Sequence, residues 1–250
     1  MTLKWRAKQI ECARIISSRS LYSFPKRFFF ASFFFSKKKE GLLPAVLFVF
    51  YARSVNEVRM IVYRQVDLSY LSLYDTIPML VHVSRALQPR RLQNGLGGML
   101  FDEIEVEPYT KNLGAYSVPS QYGRQHNISG WGFYMAFDGN KPVAAATIAA
   151  KTKTVRMLEN REDISVLWDL RVTGEYKGQR IGTKLFALAV AWSKENGLRQ
   201  MKIECQTNNV PACTFYAKQG AVLRAINEYA YIHDTELKEH EMQLLWYLDL

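Results

Sequence analysis

The 250 residues carry a formal net charge of +10 and 48% hydrophobic side chains, enough chain for one medium domain with its own core plus an appendage. The charge is concentrated, because residues 1–59 hold twelve Lys and Arg against three Glu and leave the remainder close to neutral, so the folded part lacks the basic footprint of a nucleic-acid binder. Three cysteines, Cys12, Cys205 and Cys213, are odd in number and make no disulfide framework, which fits a reducing cytoplasm.

Residues 1–59 read as a basic, phenylalanine-rich extension, poorly ordered or non-native. Phe28 to Phe30 and Phe33 to Phe35 are followed by the charges of Lys37 to Glu40, then by an apolar run from Leu42 to Tyr51 that contains Pro44. A membrane span needs about 20 uninterrupted apolar residues, and this run is about half that. No single apolar core leads to a small-residue cleavage site, so a signal peptide is not expected either. An amphipathic segment touching a membrane surface is the alternative reading.

The domain is expected over residues 60–250. After Met60, IVYRQVD alternates like a strand, and a helical region is expected from there to about Arg91. Gln93 to Gly98, QNGLGG, reads as a flexible connection between that helix and a loop. Phe101 to Tyr109 carries Asp102, Glu103, Glu105 and Glu107, either a solvated face or a collector for a cationic substrate. Trp131 to Asp138 and Pro142 to Lys151 form a hairpin around Asp138-Gly139-Asn140-Lys141, and the alanines of the second strand require something to pack closely on it.

The most informative stretch follows. From Ile164 to Val172 apolar residues alternate, with Asp169 and Arg171 sharing a face, as in a strand with two unlike sides. A glycine-bearing basic loop leads into a helix whose Ile181, Leu185, Leu188, Ala189 and Trp192 recur at intervals of three and four, ending at Asn196-Gly197. Met201 to Gln206 is the next strand, so the unit is a right-handed parallel crossover with the loop at the C-terminal edge of its first strand. Free N–H groups and the macrodipole at the helix start, with Lys177 and Arg180, make this loop an anion site; the alternative is a surface turn. A Gly-x-Gly-x-x-Gly dinucleotide loop and a Walker motif are both absent from it. Cys205 belongs to the apolar core face. Residues 221–231 and 241–250 read as a closing antiparallel pair, and His233 and His240 as members of a solvated loop without a metal.

Lys177-Gly178-Gln179-Arg180-Ile181-Gly182 resembles the acetyl-CoA loop of the GNAT superfamily of N-acetyltransferases, Arg/Gln-x-x-Gly-x-Gly/Ala. Lys177 departs from that pattern by losing the planar fork of arginine. Arg180 stands in place of the first motif glycine, which calls for an ordinary backbone angle there and offers another phosphate partner. Asn209 to Gly220 is similar to the family's Asn-x-x-Ala-x-x-x-Tyr-x-x-x-Gly helix, with Ala221 in place of the usual Phe. Glu204-Cys-Gln-Thr-Asn-Asn and the terminal Trp246-Tyr247-Leu248 resemble the streptothricin acetyltransferases most.

The resemblance implies a mixed α/β fold, a strongly twisted sheet of six or seven strands with helices on both faces. It implies acetyl-CoA as co-substrate, bound by Leu170, Arg171 and Val172 along its pantetheine arm, by residues 177–183 (Lys177, Gly178, Gln179, Arg180, Ile181, Gly182, Thr183) at its pyrophosphate, and by Asn209. It further implies that Tyr216 meets the thioester sulfur and serves the departing thiolate; its other reading is a core aromatic. Because an alkyl ammonium has a pKa near 10.4, attack needs a base, and Asp169 and Glu204 are the candidate carboxylates. The other reading for each is a salt bridge to Arg171 or Lys202. The expected acceptor is a small-molecule amine, with a streptothricin first. Another amine (a polyamine or a protein amine) and a non-catalytic acyl-CoA sensor are the rivals, and a homodimer is left open.

Overall fold

The computed structural model describes residues 60–231 and 241–250; residues 1–59, with the phenylalanine clusters, and 232–240, with His233 and His240, lie outside the described residues. The strands are β1 (Ile61–Gln65), β2 (Leu80–Arg91), β3 (Met99–Asn112), β4 (Gly132–Asp138), β5 (Lys141–Ala150), β6 (Ile164–Val172), β7 (Gln200–Gln206), β8 (Val222–Asn227) and β9 (Gln243–Asp249). The helices are α1 (Leu71–Tyr74), α2 (Tyr122–Gln125), α3 (Ile181–Glu195) and α4 (Val210–Lys218). Seven strands make one mixed sheet in the order β1-β4-β5-β6-β7-β9-β8. All neighbours are antiparallel except β6 and β7, whose connection through α3 is the expected parallel crossover.

Strand alternation sends residues to two cores. Tyr134, Ala136, Ala144, Ala146 and Ile148 face Leu185, Ala189 and Trp192 of α3, together with Cys213 and Tyr216 of α4. Phe133, Met135, Phe137, Ala145 and Ala149 face Leu71, Tyr74 and Tyr122, so that α1 and α2 cover the opposite side. Ala144, Ala146 and Ala150 of β5 admit the backbone of α3 at close range. Gly132 has the same cause: a Cβ there would lie 2.8 Å from Cε2 of Trp192. Fully buried Leu185 contributes roughly 2–3 kcal/mol by removal from water, and α3 stops where Gly197 adopts φ 75°.

The expectation of a helical region up to Arg91 is overturned. Past the single turn of α1, β2 pairs with β3 in a separate two-stranded antiparallel ribbon, with Leu80 opposite Asn112 and Arg91 opposite Met99. Leu, Arg and Gln at 85–92 have good helix propensity. Against them stand the alternation of Val81 and Val83, a proline at 89 and a partner strand that supplies the ladder. Gln93 to Gly98 is therefore the tip of a hairpin, with positive φ at Gln93, Asn94, Gly95 and Gly98. On the ribbon, Arg90 donates to Asp102 (2.8 Å) and Arg85 pairs with Glu103. These pairs join exposed side chains and add little stability.

Candidate active site

The site begins where the sheet splits. The parallel ladder of β6 with β7 runs from Ile164 opposite Gln200 to Leu167 opposite Ile203 and ends there. Beyond it β6 stays with β5 as far as Val172, and β7 stays with β9 as far as Gln206. The two halves diverge into a wedge. Thr173 N–H donates to Val143 O at 2.9 Å. In an antiparallel ladder the bonded positions alternate, so Asp169 and Arg171 turn their peptide groups to β5, while Leu170 and Val172 present N–H and C=O to the gap. A cavity of about 770 Å3 fills the wedge, lined on one side by Leu170 and Val172 and on the other by Glu204, Gln206, Asn209 and Tyr216.

One end of the cavity is the loop into α3. Tyr176 anchors it by donating to Asp138 Oδ2 (2.7 Å), and Lys177 Nζ donates to Leu80 O (3.1 Å). Lys177, Gly178 and Gly182 line the cavity, whereas Ile181 is turned into the core. Gln179, Arg180 and Thr183 stand in the same loop and first helical turn without lining it. Gly178 has φ 77°. Arg180 corrects the expectation of an ordinary backbone angle: it caps α3 at φ 61° and ψ 11°, the left-handed conformation that the family pattern assigns to glycine. The fold imposes the turn, and a non-glycine residue is held in it at a cost of about 1–2 kcal/mol.

The middle of the cavity belongs to α4. Asn209 caps the helix, its Oδ1 accepting from Ala212 N–H at 3.3 Å. Two turns on, Tyr216 is 8% exposed and packs against Phe186 and Phe215, with ring centroids 6.3 and 5.4 Å away. Burial raises its phenol well above the usual tyrosine range, so it is a neutral O–H donor. Its hydroxyl has no hydrogen-bond partner among the described residues. Cys205 and Cys213, both buried and free, lie beside it with their sulfurs 3.4 Å apart.

The two candidate carboxylates have different surroundings. Asp169 is 2% exposed, with Arg171 Nε donating to Oδ1 (2.9 Å), and with Ser117 Oγ (2.9 Å) and Tyr122 Oη (3.1 Å) donating to Oδ2. Arg171 also donates to the carbonyls of Ile77 and Ser117 and lies 5.1 Å above the Tyr74 ring. The pair therefore ties two loops to β6, and its carboxylate is fully engaged. Glu204 lies just past the split and is the one carboxylate among the described residues lining the cavity. Its Oε1 accepts from Tyr231 Oη at 2.6 Å. Lys202, a suggested partner for it, donates instead to Glu159 at 2.5 Å.

Beyond Glu204 the cavity is walled by Tyr122, His126 and Trp168, the Trp168 ring lying 6.2 Å from that of Tyr122 and 5.4 Å from that of His126. Burial lowers the imidazole pKa of His126, favouring the neutral ring. The parts played here by Tyr122, His126 and Ser117 were not legible in the sequence, because residues 113–131 have no sustained periodicity and their place at the site is set by packing on β6; Tyr231 is likewise brought in only by the fold. The carboxylates at 102–107 do not line the cavity.

Residues 99–221 match the family model described as the acetyltransferase (GNAT) family. The chain is 28% identical over 93 residues to streptothricin acetyltransferase A of Bacillus subtilis (strain 168), covering 37% of this chain and 53% of that protein. It is 31% identical over 85 residues to the streptothricin acetyltransferase of Escherichia coli, covering 34% and 48%. The chain thus spans about half the length of these curated relatives. Among solved structures it is similar to a Bacillus anthracis str. Ames protein described as a streptothricin acetyltransferase in complex with acetyl coenzyme A, with a TM-score of 0.59 at 22% identity over 77% of this chain and 98% of that one. Nourseothricin acetyltransferase gives a TM-score of 0.58 at 17% identity, covering 76% and 98%. These two likenesses establish the fold. No helix among the described residues is long and apolar enough to cross a membrane.

Proposed function

We propose that the chain, whose residues 99–221 match the acetyltransferase (GNAT) family model, transfers the acetyl group of acetyl-CoA to a primary amine of a streptothricin-type acceptor. The observation that carries this reading is the wedge between β6 and β7. It places open peptide groups, a helix start, a neutral phenol and one carboxylate around a single cavity. Acetyl-CoA would supply an activated acyl group on a thiol leaving group.

In this reading the N–H and C=O groups of Leu170 and Val172, left without a strand partner, would receive the amide groups of the pantetheine arm as a neighbouring strand would. An N–H there would also polarise the thioester carbonyl, worth about 3 kcal/mol for one such donor. The pyrophosphate would lie on the start of α3 beside Lys177, with Gly178 and Gly182 allowing close backbone approach. Asn209 would face the arm from the opposite wall.

Glu204 serves as the base. It takes the proton from the acceptor ammonium, directly or through water, and frees the lone pair for attack. Asp169 is assigned the structural role, because its oxygens are already held by Arg171, Ser117 and Tyr122. Tyr216 donates its proton to the leaving sulfur, a role supported by its neutral phenol and unengaged hydroxyl. The streptothricin acceptor is supported by the two curated relatives, and acetyl-CoA by the B. anthracis protein solved with it.

Expression of the gene in a streptothricin-sensitive bacterium tests the reading. Protection is expected, together with thiol release when the purified protein meets acetyl-CoA and the drug. If both are absent while a polyamine or lysyl peptide is acetylated, the acceptor is wrong and the amine acetyltransferase reading stands.

A further inference from the structure

The geometry points to Tyr231 as a positioning residue for Glu204, in a chain of hydrogen bonds that runs from Gln206 through the phenol to the carboxylate. The inference rests on the amine acetyltransferase reading and adds to it a residue outside both family signatures.

Tyr231 lies in the turn after β8, 27 residues from Glu204, and is half-buried. Its hydroxyl donates to Glu204 Oε1 at 2.6 Å and accepts from Gln206 Nε2 at 3.3 Å. The direction of the chain is fixed by chemistry. A carboxylate in its ionised form can only accept, and an amide nitrogen can only donate, so the phenol proton must point to Glu204. Burial and the adjacent Glu204 charge both raise the Tyr231 phenol above the usual tyrosine range, which keeps that proton in place.

Glu204 needs such a guide. It sits where β7 has left β6, so one side of the strand is open at its position. Its side chain has three rotatable bonds and projects into a cavity rather than a packed core. With Oε1 held, Oε2 is the atom left to meet an ammonium. Gln206, two residues along β7, lines the same cavity and sets the phenol from the other side. Glu204 is the catalytic residue in this arrangement, and Tyr231 acts through it.

A double-mutant cycle on the full chain tests the assignment. Wild type, Y231F, E204Q and Y231F/E204Q are compared for kcat and KM with streptothricin, for acetyl-CoA affinity by calorimetry and for melting temperature. Y231F is expected to lower kcat roughly tenfold while the acetyl-CoA Kd stays within about twofold. In the E204Q background the same substitution is expected to cost nothing further. A purely structural role for Tyr231 would subtract equally in both backgrounds, and that result would overturn the proposal, as would wild-type turnover by Y231F. Should Y231F fail to fold, Q206L removes the upstream donor, and its kcat loss must likewise vanish in E204Q. The hydrogen bond itself is read without an acceptor: a downfield, slowly exchanging hydroxyl proton in the NMR spectrum should be lost in both Y231F and E204Q, and its survival in E204Q would overturn the proposal. If wild type acetylates spermidine but not streptothricin, the acceptor reading fails and the cycle is run on spermidine. If it acetylates neither of these nor a lysyl peptide, the catalytic reading fails and the Tyr231 role falls with it.

Discussion

Replacing Arg180 with glycine should stabilise the protein while weakening the proposed binding of acetyl-CoA, because one residue answers to two demands. Its backbone sits at φ 61° and ψ 11°, where an L-residue pays about 1–2 kcal/mol. Glycine adopts that angle freely but has more conformational entropy to lose on folding, about 0.5–1 kcal/mol. The net expectation is a gain of about 0.5–1 kcal/mol, which for a domain of this length is a rise of about 1–4 °C in Tm. On the other side of the balance, the guanidinium is exposed, so its attraction to a phosphate is screened and worth about 0.5–1 kcal/mol, a two- to fivefold rise in Kd. Calorimetric melting without ligand measures the first effect, and acetyl-CoA titration the second; the melt must be ligand-free because binding would itself raise Tm. R180K is the control, since it keeps both the charge and the strained angle, and it should melt like wild type. An R180G protein that melts no higher than R180K would refute the argument from backbone strain.

Tyr216→Phe should cost roughly a hundred- to ten-thousandfold in kcat with little change in KM for acetyl-CoA, the usual worth of one positioned acid, and wild-type kcat would move that role elsewhere. Arg171→Met should destabilise the protein by about 3–5 kcal/mol, because it leaves the Asp169 carboxylate buried without its counter-charge; the double variant with Asp169→Asn should recover part of the loss, and full additivity in urea melts would refute the pairing. We propose that the folded unit starts at Met60, directly before β1, so a chain truncated to that residue should melt and acetylate like the full one. Insolubility, or a Tm well below that of the full chain, would show that residues 1–59 belong to the core.

What was legible in the sequence was local. The stretch from Ile164 to Gln206 reads correctly as strand, loop, helix and strand, because each element carries its own period and its own punctuation in Asn196-Gly197. The hairpin of β4 and β5 is marked by Asp138-Gly139-Asn140, and its alanines announce a close neighbour, which for Ala144, Ala146 and Ala150 is α3. The anion loop stands out for the same reason, since a helix start needs few residues to declare itself, whereas Asn209 and Tyr216 of α4 are marked only by their resemblance to the family's Asn-x-x-Ala-x-x-x-Tyr-x-x-x-Gly helix.

What depended on distant partners had to come from the fold. Residues 85–91 have helix propensity, and only the pairing with Met99 to Glu105 makes them a strand. The left-handed angle at Arg180 is imposed by the turn between β6 and α3, against the local preference of arginine. Asp169 and Glu204 are equivalent by alternation, each turned away from α3. Tertiary structure separates them: Ser117 and Tyr122, about 50 residues before Asp169 in the chain, close over it, while β7 leaves β6 after Ile203 and opens Glu204 to the cavity. A carboxylate's chemistry follows from which of its oxygens are already bonded, and those bonds are made by residues that no spacing rule places beside it.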